Sequence, residues 1–242
     1  MMYAGPMRRL SAALAILALL TVLSTSRQPA RARDDMPSMG AMSAAVSRHM
    51  AMTALRPNQQ GDRARADAIV VAARAVMKRW PDVASVEAAG FTKFAPGVAL
   101  PIEHYTNYQY AAAAQLGVFN PDHPTSMIFE RHGKTLTLVG VMYTTAAHVP
   151  EDKLDAMVPL SIAQWHRHVD LCFPPAGTRT DPGGRFGFGG AINTKAACDA
   201  ANGRWSPQVF GWMVHVWPNE RDQKSIWAVD RNDDHGHGSM SM

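Results

Sequence analysis

The densest run of chemically capable side chains is Gln164–Cys172, QWHRHVDLC. Read as a β-strand, it sends His166, His168, Asp170 and Cys172 to one face and Trp165, Val169 and Leu171 to the other, because side chains alternate along a strand. The apolar set then meets the core, with Arg167 the exception. Two imidazoles two residues apart on a strand can converge on one metal ion, and neutral imidazole suits Zn(II) and Cu(II). A third ligand is usually needed. His215 is the natural candidate, mid-way along GWMVHVW on the face shared by Gly211, Met213 and Trp217. His104, beside Glu103 in PIEHYTNY, is the next, and His104 or Met213 is available as a fourth ligand. A helix is the competing reading: Ser161 and Gln164 match a capping box, and Ile162, Trp165, Val169 and Cys172 recur at helical spacing. A helix would splay His166 and His168 by about 200°, and one ion could not take both. We read a strand that begins near Gln164.

The choice of metal turns on sulfur. Thioethers select Cu(I), whereas Cu(II) prefers imidazole. Met36, Met39 and Met42, followed by His49, Met50 and Met52, resemble the Met/His-rich segments of exported copper-handling proteins. That resemblance is compositional, spans under about thirty residues, and implies copper as the bound ion; zinc, which imidazole also suits, comes second. The last eleven residues, NDDHGHGSMSM, add His235, His237, Met240 and Met242.

Enzyme motifs are sparse. His166-x-His168-x-Asp170 resembles the opening of the metallo-β-lactamase metal motif, but Leu171 stands where that family has its next His. The glycine cluster Gly183 to Gly190 lacks the G-K-[ST] of a phosphate-binding P-loop, and Ile192 replaces the last Gly of a dinucleotide fingerprint counted from Gly187. It reads as a loop. No G-x-S-x-G nucleophile elbow occurs. Three functions therefore stay open: a transition-metal protein of storage, delivery or resistance; a mononuclear zinc or copper enzyme with an open coordination position; and a non-catalytic envelope domain with structural histidines.

The elements that would position these residues are legible in part. Asp62 to Trp80 has apolar positions at three- and four-residue spacing and ends at Pro81, which predicts a helix. Residues 83–94 are expected to include a strand. Residues 126–143 read as a hairpin turning at His132-Gly133. Pro150 to Met157 suits a short helix, as does Asn193 to Ala201 with its stop at Asn202-Gly203. Val209 to Trp217 is strand-like. Helices and hairpins interleave without a βαβ rhythm, so the expected fold is α+β: a mainly antiparallel sheet with flanking helices, in one domain with one disulfide.

The ends set the compartment. Arg8 and Arg9 precede the 14-residue apolar stretch Leu10 to Leu23, too short to span a bilayer and suited to a signal peptide cleaved after Ala30-Arg31-Ala32. The expected layout is signal peptide 1–32, flexible Met-rich tail 33–60, α+β domain 61–231 and flexible His/Met tail 232–242. The expected compartment is periplasmic or extracellular, with no membrane span after signal cleavage. An oxidising compartment favours joining Cys172 and Cys198, the two cysteines of the chain. The formal charge of +4 resides in the signal segment: without its four arginines, 20 basic and 20 acidic residues balance. That leaves no field to steer polyanions, and nucleic acid is not an expected partner.

Overall fold

The computed structural model describes residues 48–97, 99–178 and 184–231. The expected signal segment, the methionines at positions 36, 39 and 42, residue Gly183 and the tail 232–242 lie outside the described residues. In chain order the elements are β1 (Met50–Met52), α1 (Asp62–Arg79), α2 (Val83–Ala88), β2 (Thr92–Lys93), β3 (Ile102–Thr106), α3 (Tyr108–Gln115), β4 (Ser126–His132), β5 (Thr135–Thr145), α4 (Glu151–Met157), β6 (His166–Phe173), α5 (Lys195–Ala200), β7 (Arg204–Val216) and α6 (Gln223–Ile226). The strands form one antiparallel sheet in the order β1-β6-β7-β5-β4-β3-β2. The fold is α+β with a Cys172–Cys198 disulfide, as expected.

Period-two alternation divides the sheet into two unlike faces. One carries Tyr105, Met127, Phe129, Val141, Tyr143, Trp212, Val214 and Val216, all buried against Ala66, Ile69, Val70, Ala73, Val76 and Met77 of α1. The expected three- and four-residue spacing of α1 is thus spent on covering the sheet. The opposite face carries His104, Ser126, Met142, His166, Met213 and His215 and lines a cavity. Arg167, the misfit on the apolar side of β6, lays its guanidinium 4.4 Å over the Trp212 ring, a cation–π contact.

Three differences from the expected layout have clear causes. Residues 83–88 form helix α2, and only Thr92–Lys93 of that stretch is a strand. Asp82 accepts from the Ser85 N–H and Ser85 Oγ accepts from the Asp82 N–H, a capping box that begins the helix directly after Pro81. Residues 49–60 belong to the fold: β1 pairs with β6, His49 is fully buried, and Arg56 bonds Asp62 and Asp155. A three-residue edge strand has no period long enough to read in a sequence. Strand β3 and helix α3 went unanticipated. Asn107 caps α3 through its side-chain oxygen, which takes the N–H groups of Gln109 and Tyr110.

The strand over residues 164–172 is decided by β1. Thr53 donates its N–H to the Trp165 carbonyl and accepts the Trp165 N–H on Oγ1, so the chain is extended as it enters β6. The two residues of the apparent capping box serve other partners: Ser161 Oγ donates to Asp62, and Gln164 Nε2 donates to the Thr53 carbonyl.

Candidate functional site

The cavity measures about 1210 Å3 and receives all four histidines singled out in the sequence: His104 from β3, His166 and His168 from β6, and His215 from β7. Cross-strand register explains their order. His166 lies opposite Met213, His215 is two residues further along β7, and His168 is two residues along β6 in the other direction. The rings therefore form a row, with His215 and His166 5.0 Å apart between centroids and His168 5.9 Å beyond His166. His104 comes from three strands away, a distance of about 14 Å in a flat sheet. Its ring nevertheless stands 5.8 Å from that of His215, so the sheet curls with this face inward. A bulge at Val139 of β5, opposite the Ile128–Phe129 step of β4, promotes that bend.

The expectation that His166, His168 and His215 converge on one point is not met: among the described residues no three His, Cys, Asp or Glu side chains form a ready-made metal set. One bulge causes the difference. His166 pairs with Met213 but His168 with Val209, so three residues of β7 lie opposite one of β6, and His168 is drawn towards Phe188 at 4.7 Å. The closest pair, His166 and His215, shares its face of the sheet with Met213, which lies opposite His166 and two residues before His215.

Each imidazole is held neutral. Burial is the first cause for His104, pushed down to about 3, and for His215, pushed down to about 4, with the neighbouring histidines adding repulsion. Burial also lowers His166 and, less strongly, His168, where a hydrogen bond to the His49 main chain opposes it. His215 Nδ1 lies 2.6 Å from the Val229 carbonyl. A carbonyl only accepts, so Nδ1 carries the proton and the Nε2 lone pair faces the cavity side without a partner. His166 Nδ1 is likewise buried and unpartnered. Such orphaned ring nitrogens are uncommon in a folded interior and call for an explanation.

The rest of the lining is mostly apolar. It includes Met50, Met52, Met142 and Met213, with Trp217 and Trp227 at the C-terminal end. Trp217 is pinned by its own indole N–H on the Ala228 carbonyl, and Gly140 leaves it room, since a Cβ there would lie 2.6 Å from the ring. Asp230 is the one carboxylate among the described lining residues, and no Glu is found there. Glu103, next to His104 in the chain, points through the opposite face, where Lys93 and Arg131 neutralise it. Sequence reasoning missed the aromatic residues of the cavity mouth, Phe94, Phe188 and Phe210; the signal in hindsight is a Phe directly before a glycine, Phe210-Gly211, inside a strand.

No family model, curated protein or solved structure matches this chain.

Proposed function

We propose that this is an exported protein that holds a transition-metal ion, copper first and zinc second, in the His-lined cavity, for storage, delivery or resistance. The observation that carries the reading is the pair His166 and His215: buried, neutral, each with an unpartnered ring nitrogen, and 5.0 Å apart. Metal–nitrogen bonds of 2.0–2.1 Å place a ring centroid about 3.2 Å from the ion, so two imidazoles on one tetrahedral ion stand about 5 Å apart. His215 also has the outer support that metal-bound histidines use, a backbone carbonyl on the other ring nitrogen. Met213 supplies a soft sulfur beside the pair and turns the preference to copper. His104 and His168, one at each end of the row, are the remaining ligand candidates.

The enzyme alternative asks for a carboxylate base near the ion; the described lining has no Glu and one Asp, Asp230, next to the Val229 that holds His215, and this reading stands second to metal binding. The structural alternative leaves the orphaned nitrogens unexplained. Export rests on the signal-like first segment and agrees with a disulfide in the folded chain.

The test is elemental analysis of the untagged protein from its native compartment, followed by competitive Cu(I) titration against a chromogenic chelator. His166→Ala and His215→Ala should each weaken binding by about tenfold or more, since the cavity leaves few donors to replace them. His104→Ala and His168→Ala should give smaller losses. Metal-free native protein together with unchanged affinity in all four variants would overturn the proposal.

A further inference from the structure

A metal ion needs a small fraction of 1210 Å3, and small-molecule sites span roughly 300–1,000 Å3. We propose that the cavity in front of the histidine row takes a neutral aromatic small molecule, gripped at its mouth by Phe94, Phe188 and Phe210. The inference goes beyond the metal reading and does not rest on it, because none of these rings belongs to the candidate ligand set.

Two independent observations point there. Of the ten exposed large apolar side chains among the described residues, seven line this one cavity, including Phe94 at 43%, Phe188 at 41% and Phe210 at 49% exposure. Exposed apolar groups gathered at a single opening mark a binding site. The second is backbone strain. Phe210 adopts φ +62°, a left-handed conformation that a bulky side chain rarely takes, inside the β7 bulge. That bulge directs its ring to the mouth, nearly parallel to Phe188 at 6.3 Å and edge-on to Phe94 at 5.5 Å. Strain of this kind persists where the surrounding structure enforces it, and it clusters at ligand clamps. Aromatic faces prefer aromatic guests. Charge sets the rest of the ligand class. Arg231 is engaged by Glu130 and Glu220, and the other charged residues of the described lining, Lys224 and Asp230, are opposite in sign, so the cavity carries no one-signed field to select an ion. Volume decides between a small molecule and a covering protein, because a protein face laid over the mouth would leave the space behind it unfilled.

The test titrates the full mature chain with N-phenyl-1-naphthylamine, a neutral aromatic probe, and follows its fluorescence with and without a metal chelator. One saturable site per chain is expected in both conditions. Phe210→Gly should weaken the probe by about tenfold while leaving Tm equal or higher, because glycine accepts positive φ without strain and the ring is lost from the clamp. Phe94→Ala and Phe188→Ala, on other elements, should each weaken it as well. Absence of saturable binding, or unchanged affinity in all three variants, would overturn the proposal. So would light scattering that shows a dimer from which the probe is excluded, since a second copy would then cover the mouth. Failure of the copper titration leaves these readings unaffected, so the two proposals fail separately.

Discussion

His215 shows how one hydrogen bond prepares a side chain for chemistry. By donating Nδ1–H to Val229, it fixes its tautomer and leaves Nε2 as a lone pair in an apolar setting. Met213, opposite His166, is the softest donor beside it. Met213→Leu keeps the volume and removes the sulfur, so it should lower Cu(I) affinity by about tenfold and leave Zn(II) affinity within about twofold, at a stability cost under about 1.5 kcal/mol. Parallel Cu(I) and Zn(II) competition titrations check this; equal losses for both ions would show that the thioether does not select the metal. Gly211 is constrained by geometry alone. A Cβ there would lie 1.8 Å from the Thr145 carbonyl oxygen, where backbone cannot give way as a flexible side chain would. Gly211→Ala should therefore push β7 from β5 and cost about 2 kcal/mol or more in urea unfolding.

At the scale of elements, β1 and the segment after it act as a clasp. β1 supplies the pairing that holds β6 extended, and Arg56 beyond it joins Asp62 at the start of α1 to Asp155 at the end of α4. A chain covering 48–231 should melt in one cooperative transition, whereas one beginning at 61 should melt lower and with a shallower slope, because His166 and His168 lose their strand partner. Calorimetry of the two proteins decides it; equal Tm values would show that β1 is dispensable. The same clasp predicts an acid limb. The Arg56 guanidinium, then the Ser161 hydroxyl, hold the Asp62 carboxyl well below its ordinary 3.8. A depressed carboxyl contributes stability that is complete above its unfolded value and is lost as pH falls towards the folded one. Tm should thus hold level from neutrality to about pH 4 and fall below it, and Asp62→Asn should lower the plateau while flattening the fall.

For the whole molecule, the disulfide joins the sheet to a helix. It closes β6 to α5 across 26 residues, and Gly203 sits beneath it where a Cβ would lie 2.4 Å from Cys172 Sγ. A loop of that length is worth about 3.5 kcal/mol in the chain-entropy account. Reduction should then lower Tm by about 7–14 °C for a domain of this size. Scanning calorimetry with and without reductant checks the figure. Export carries its own test: the intact mass of the secreted protein should correspond to a chain that begins near Arg33 and contains no free thiol.

Much of this was legible in the residues. The spacing in α1, the Gly133 turn of the β4–β5 hairpin, the helix stop at Asn202-Gly203 and the cysteine pair are local signals, each set by a few neighbouring side chains. The four histidines were recognisable by type, and His166, His168 and His215 also by alternation along their strands, whereas β3, which carries His104, went unread. Whether they meet was not a local matter. Residues 161–172 carry helical and extended patterns together, and the choice fell to Thr53 and β1, more than 110 positions away in the chain. The order of the row followed from cross-strand register and from the bulge at Phe210, which the alternation of one strand cannot encode. His104 reached His215 only because the sheet curls. Sequence determined which side chains face each way on each strand; pairing, bulge and curvature, set by contacts between distant segments, decided which of them share a cavity.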